Sequence, residues 1–267
     1  MLRFILQPFA LIAEIFFGVL RNFYDTFANL SKLYYLIGQI ARELPHIFKR
    51  FRLTADQMMS LGIGSLPLVA ITSCFTGGVA VSQAKYQFSN IVPLTYLGTA
   101  VCKAVVIELA PVLTALVLAG RIGASIAAEL GSMKTNEQID AMECLALNPI
   151  VYLVLPRLVA GMIMFLVLTV VSDFIAILGA WFVSIMFLGV SSHLYTAGLR
   201  LFFEPSDVFA GLLKAAVFGG IITLMGCYHG VRTEGGAEGV GKATMNAVVA
   251  SCVLVLIFDF IVAALIF

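Results

Sequence analysis

LVAGMIMFLVLTVVSDFIAILGAWFVSIMFLGV, residues 158–190, decides the fold, because only one of its 33 residues, Asp173, is charged. A helix rises 1.5 Å per residue and a bilayer's hydrocarbon core is about 30 Å thick, so roughly 20 apolar residues cross it. The run is longer than a perpendicular crossing needs and is expected to tilt or protrude. Four more apolar runs lie around it, at 58–84, 92–120, 208–231 and 243–267. The expectation is an all-α integral membrane protein with five transmembrane helices.

Composition supports that class. The chain is 61% hydrophobic and 12% charged, against soluble averages of about 45–50% and 25%. In 267 residues the spans leave no room for a separate catalytic domain. A net charge of +1 argues against a nucleic-acid partner, which would demand clustered Lys and Arg. The five cysteines, Cys74, Cys102, Cys144, Cys227 and Cys252, show no CxxC spacing and read as small apolar residues, not as metal ligands or disulfides.

Residues 4–20 are apolar but carry Gln7, Pro8 and Glu14, and no small-residue cleavage site follows them. A signal peptide is not expected. Residues 21–52 mix aromatics with Lys32, Arg42, Lys49, Arg50 and Arg52, the pattern of a helix lying in the interface. The chain divides accordingly into an N-terminal interfacial region, residues 1–52, and a five-helix transmembrane domain, residues 53–267. With the N-terminus cytoplasmic, most Lys and Arg fall on the cytoplasmic side, leaving Lys85, Lys103 and Arg200 near the outer face. This orientation obeys the positive-inside rule and puts the C-terminus on the periplasmic side. Pro67 and Pro111 lie within spans and predict kinks. No internal repeat is visible, which weighs against a carrier built from inverted halves.

Between the second and third spans runs ELGSMKTNEQIDAMECLALNPIVYLVLPR, residues 129–157. Thr135-Asn136-Glu137-Gln138 fits a capping box, with the Thr135 hydroxyl accepting from the Gln138 amide. A helix is expected from Thr135 to about Leu147, stopped by Pro149. Ile139, Met142 and Leu145 form an apolar stripe opposite Glu137, Asp140 and Glu143. Such a short acidic amphipathic helix suits a basic groove on a partner protein better than an anionic membrane surface; it could equally rest on its own chain. Just upstream, Gly123, Ala127 and Gly131 lie on one ridge and Gly120, Ala124 and Ala128 on another. Small residues at this spacing allow close helix contact, either within the chain or at a dimer seam.

Residues 120–161, GRIGASIAAELGSMKTNEQIDAMECLALNPIVYLVLPRLVAG, resemble the signature of the MlaE/YrbE family, the membrane subunits of Mla/Mce-type ABC lipid transporters. The GRxG start, AExGxM core, EQxxAxE helix and closing PR carry the likeness. Asn148 departs from it, since many relatives have Asp before the proline. The resemblance implies an N-terminal interfacial helix plus five transmembrane helices in the bacterial inner membrane, working as a homodimer. It implies that the 135–147 segment is a coupling helix seated in a cytoplasmic ABC ATPase through Glu137, Gln138, Ile139, Asp140, Met142, Glu143 and Leu145, and that a periplasmic Mce-domain protein covers the dimer. The substrates implied are phospholipids or related lipids, with a contribution to outer-membrane lipid homeostasis.

The chain is then a non-catalytic permease that binds no cofactor, with ATP and magnesium on the partner. Gly236 to Lys242 does fit the GxxxxGK half of a phosphate-binding loop. Ala243 follows instead of Ser or Thr, and a span precedes it, so it reads as a cytoplasmic turn.

Ionisable residues inside spans are costly and usually face a cavity or a partner. Here they are Lys103, Glu108, Asp173 and Lys214, with Asp259 near the end of the last span. Glu108 resembles the family glutamate that borders the lipid cavity, and Lys214 a family lysine on its following side. Lys103 and Glu108, five residues apart, point about 140° apart, so a Glu108–Lys214 pair across spans is expected, as cavity group or as structural ion pair. Val79, Val81, Phe88 and Leu97 are expected on the apolar cavity wall. The competing class is an ion-coupled carrier or channel with Lys103, Glu108, Asp173 and Lys214 as a charge relay; a third is a passive membrane anchor.

Overall fold

A computed structural model describes residues 31, 33–43, 45, 51–88, 92–201 and 204–266. The expectation for residues 4–20 lies outside them. The chain forms two compact units, Met1–Pro45 and His46–Phe267. In the first, residues 33–43 are helical, with Tyr34 and Tyr35 exposed.

In the second unit the apolar runs become five helices long and apolar enough to cross a membrane: Phe51–Phe88, Leu94–Thr135, Ile150–Met186, Pro205–Val231 and Gly236–Ile266. They are called the first to fifth spans below. No strand occurs among the described residues. Pro67 and Pro111 each follow a departure from α geometry, a 3-10 turn at Ile63–Ser65 before Pro67 and a π-turn at Val105–Leu109 before Pro111. Proline donates no backbone hydrogen bond, so the turn ahead of it tightens or widens. Two more π-turns occur, at Ala119–Gly123 and Ile150–Val154.

Close helix contact at small residues organises the bundle. The fourth span is central. Its Gly226 and Gly230 take the second span's Ile126 and Leu130, and its Gly219 lies against the carbonyl of Gly161 on the third span. The Gly123, Ala127, Gly131 ridge is thereby used within the chain, against Ile222, Gly230 and Thr233. Gly120 has open space around it, and Ala124 and Ala128 are half-buried. The first span packs on the third, where Gly77 meets the Ala176 carbonyl and Gly179 the Cys74 carbonyl. Buried hydroxyls stitch three spans: Ser73 and Ser172 are 2.7 Å apart, and Thr114 donates to Ser172 at 2.9 Å. The fifth span turns a stripe outward, with Met245, Val249, Val253, Leu256 and Phe260 exposed.

A core cluster gathers Val81, Leu97, Val101, Val105 and Tyr195, with Tyr195 supplied by the short helix Ser192–Leu201. This corrects two expectations for the cavity wall. Val81 and Leu97 are fully buried in the protomer's own core, and Phe88 is half-buried against it. Gly236 to Lys242 is also no turn: it opens the fifth-span helix, and Glu238 and Lys242 pair at 2.7 Å.

Candidate functional site

The site at Glu108 is assembled from backbone upward. The π-turn Val105–Leu109 widens the second span, and Gly211 of the fourth span lies directly against the Val106 carbonyl, where a Cβ would clash. One turn on from Gly211, Lys214 thus faces Glu108. Its Nζ lies 2.5 Å from Glu108 Oε1, so the pairing expected from sequence forms. It also lies 2.8 Å from Asp259 Oδ1 on the fifth span, an ion-pair contact off the hydrogen-bonding direction, since that oxygen has no hydrogen-bond partner. The Lys214 side chain is 0% exposed, Glu108 42% and Asp259 22%. A fully buried ammonium is tolerable only with such partners, and the half-open Glu108 is the cluster's outlet. Sequence reasoning flagged Asp259 but did not join it to Lys214, because separation along the chain says nothing about which fifth-span face turns inward.

The other in-span charges do not extend this cluster. Lys103 pairs with Asp207 at 3.2 Å and Glu204 at 3.6 Å, at the start of the fourth span. Asp173 Oδ1 is buried without a hydrogen-bond partner. The four-residue charge relay of the competing reading is therefore not assembled: its members fall into two separate ion-pair clusters and one carboxylate apart from both.

Val79, 67% exposed, lines an apolar hollow. The hollow has a volume of about 550 Å³ between the first and third spans. Gly78 and Gly179 leave its floor without side chains, Phe75, Phe182 and Phe187 wall it, and Gln83 stands at one end. Near that end Lys85 donates to the Leu188 carbonyl at 2.5 Å, and Trp181 to Ser192 Oγ at 3.1 Å. These are amphipathic anchors of the kind found at a membrane interface. The hollow was not legible in sequence beyond Val79, since it arises from missing side chains on two distant helices.

The polar segment also differs from its expected form. The second-span helix continues to Thr135, whose hydroxyl donates back to the Ser132 carbonyl at 3.1 Å. No capping box forms, because Thr135 already has helical backbone and cannot serve as N-cap. The cap position is Glu137, with φ 58°, and the helix runs Gln138–Cys144 rather than to Leu147. Ala146, also at φ 58°, ends it. Ile139 is buried, and Asp140 pairs with Lys134 at 2.5 Å. Met142 is half-buried, while Glu137, Gln138, Glu143 and Leu145 are exposed, Leu145 by 72%. Residues three apart drift about 60° per step on a helix of 3.6 residues per turn. Leu145 has therefore left the packed side that Ile139 occupies. Asn148 Oδ1 accepts the Ile150 amide at 3.0 Å, so Asn caps the third span with Pro149 behind it.

Comparison with known proteins covers most of the chain. The family profile of Permease MlaE matches residues 54–265. A probable ABC transporter permease protein of Rickettsia prowazekii is 42% identical over 211 residues, covering 79% of this chain and 82% of its own. One from Synechocystis is 37% identical over 241 residues, covering 90% and 92%. The chloroplastic protein TRIGALACTOSYLDIACYLGLYCEROL 1 of Arabidopsis thaliana is 33% identical over 232 residues, covering 87% and 66%. On the profile match and these identities, set beside five apolar spans and a protruding polar helix, the chain is a multi-pass membrane protein that belongs to the MlaE permease family.

Proposed function

We propose that this chain is the membrane subunit of an ATP-driven transporter that moves phospholipids or related amphipathic lipids between the inner membrane and the periplasmic side, contributing to outer-membrane lipid homeostasis. It works as a homodimer, with a cytoplasmic ABC ATPase seated on the Gln138–Cys144 helix and an Mce-domain protein on the periplasmic face. The chain itself makes and breaks no bond, and ATP with its magnesium belongs to the ATPase. The N-terminus is cytoplasmic and the C-terminus periplasmic, in keeping with the distribution of Lys and Arg.

The observation that carries this reading is the docking helix. It stands outside the spans yet is fastened to the second by Ile139 and the Lys134–Asp140 pair, and it leaves Leu145, Gln138 and Glu143 free. An exposed leucine at the end of a short helix with exposed acidic and polar side chains supports docking into a groove on a partner. A lipid substrate is supported by the apolar hollow at Val79, whose volume lies in the range of ligand sites, and by the Arabidopsis relative, named for a galactolipid. Closure of the ATPase would push the docking helices, tilt the spans and squeeze the lipid from between protomers past Glu108 and Lys214. The scattered in-span charges give the ion-coupled alternative no continuous path.

Co-purification tests the reading. Leu145→Asp, at an exposed position, leaves the permease folded by thermal melting but strips the ATPase from it. Retention of the ATPase by that variant, or lipid transport persisting with no ATPase present, would sink the proposal.

A further inference from the structure

The docking segment is closed at its base. Glu129, on the second span, and Arg157, in the first turn of the third-span α-helix, form an ion pair, with Arg157 Nη2 2.6 Å from Glu129 Oε1. Everything between them, the docking helix included, is a loop whose two ends this contact ties. The Arg157 side chain is 4% exposed and Glu129 54%. Arg157 Nη1 also donates to the Leu153 carbonyl at 2.9 Å, inside the π-turn Ile150–Val154 that leads out of the segment. Its Nε is buried without a partner, so Glu129 is the carboxylate that neutralises this guanidinium.

The surrounding packing gives the pair a task. Second and third spans both lie against the fourth, through Gly230 on one side and Gly219 on the other. The docking helix packs on the end of the second span, with Ile139 buried and Asp140 paired to Lys134. On its far side, residues 143–148 are exposed, with a left-handed backbone at Ala146. A displacement of the docking helix therefore enters the second span directly. Close to the docking helix, that exposed connection and Glu129–Arg157 are what carry the displacement on to the third.

We propose that Glu129 and Arg157 are a positioning pair that makes the second and third spans respond together when the docking helix is displaced. The inference rests on the reading that an ATPase drives the chain through this helix. Neither residue touches substrate. Neutralising Glu129 leaves the docking surface in place but lets the third span lag, so hydrolysis continues without productive movement of lipid.

The test uses the full permease–ATPase complex in vesicles of phosphatidylethanolamine and phosphatidylglycerol carrying a fluorescent phosphatidylethanolamine. ATP hydrolysis and lipid transfer are measured together. Glu129→Gln is expected to keep hydrolysis near the wild-type rate while lipid moved per ATP falls about tenfold, toward the lower end of known coupling energies. The swapped pair Glu129→Arg/Arg157→Glu should regain part of that loss. Hydrolysis and transfer falling in parallel, or neither changing, overturns the proposal. Amide hydrogen exchange over residues 145–157 judges the pair without any ATPase: faster exchange in Glu129→Gln, reversed in the swap, supports the tie, and unchanged exchange refutes it. If the wild-type permease retains no ATPase, the functional reading fails and the exchange result still decides the pair.

Discussion

Replacing Lys214 with methionine removes a cation whose side chain is 0% exposed and leaves Glu108 and Asp259 facing each other without it. At contact distances of 2.5 and 2.8 Å and an effective dielectric of about 20, each attraction is roughly 6 kcal/mol before desolvation is counted. Desolvating the ammonium cancels several kcal/mol of that, and the Glu108 share is further screened because that side chain is 42% exposed. Loss of one partner from a buried pair costs about 3–5 kcal/mol. The lower end, about 3 kcal/mol, is expected here, since both carboxylates are partly exposed. The triple variant Glu108→Gln/Lys214→Met/Asp259→Asn removes all three charges and should fold within about 1 kcal/mol of wild type. Equilibrium unfolding in mixed micelles measures both, with lipid transport assayed on the same preparations. If Lys214→Met is as stable as wild type, or the triple variant no more stable than the single, the cluster's energetics are misjudged. A stable triple variant that transports lipid normally would make the cluster a structural ion pair alone.

Two further outcomes concern packing. Gly77→Ala drives a Cβ into the Ala176 carbonyl, a backbone contact that no rotamer can relieve, and should lower stability by about 1–3 kcal/mol. Gly241→Ala, in the fifth-span helix with open space around it, should be neutral or stabilising by up to about 1 kcal/mol; equal effects of the two in thermal melts would contradict the close contact. Tyr195 is fully buried and its hydroxyl has no hydrogen-bond partner. Tyr195→Phe should hold or raise the melting temperature, because an unsatisfied hydroxyl is removed, and a clear drop would reveal a hydrogen bond the structure lacks.

The five spans were legible because nothing but a bilayer rewards runs like residues 158–190. Glu108 and Lys214 were legible for a related reason: charges inside such runs are few, and one buried cation needs an anion. The wall of the lipid cavity was not. In a membrane the protein core and the lipid-facing surface are equally apolar, so Val79 in the hollow and Val81 in the core, two residues apart, looked alike. The capping box misled because Thr135-Asn136-Glu137-Gln138 was weighed without the helix already entering it. Packing of Gly123, Ala127 and Gly131 on the fourth span carries that helix past the end of the apolar run. Glu129 and Arg157 stand at the two ends of the polar segment. That they meet follows from both flanking spans packing on the fourth.

The π-turns have a consequence for how the chain tolerates insertions and deletions. Each holds one residue more than an α-turn closing the same gap, and one residue is worth about 100° of rotation. Deleting Val105, Val106, Ile107 or Leu109 would restore an ordinary turn and still leave the span apolar enough to cross. It would also swing one side of the second span against the other. Either Glu108 would turn away from Lys214, or the Gly123–Ala127 ridge would turn away from the fourth span. At this place residue count constrains the protein as firmly as residue identity, and a relative one residue shorter there would have to rebuild the face that meets Lys214.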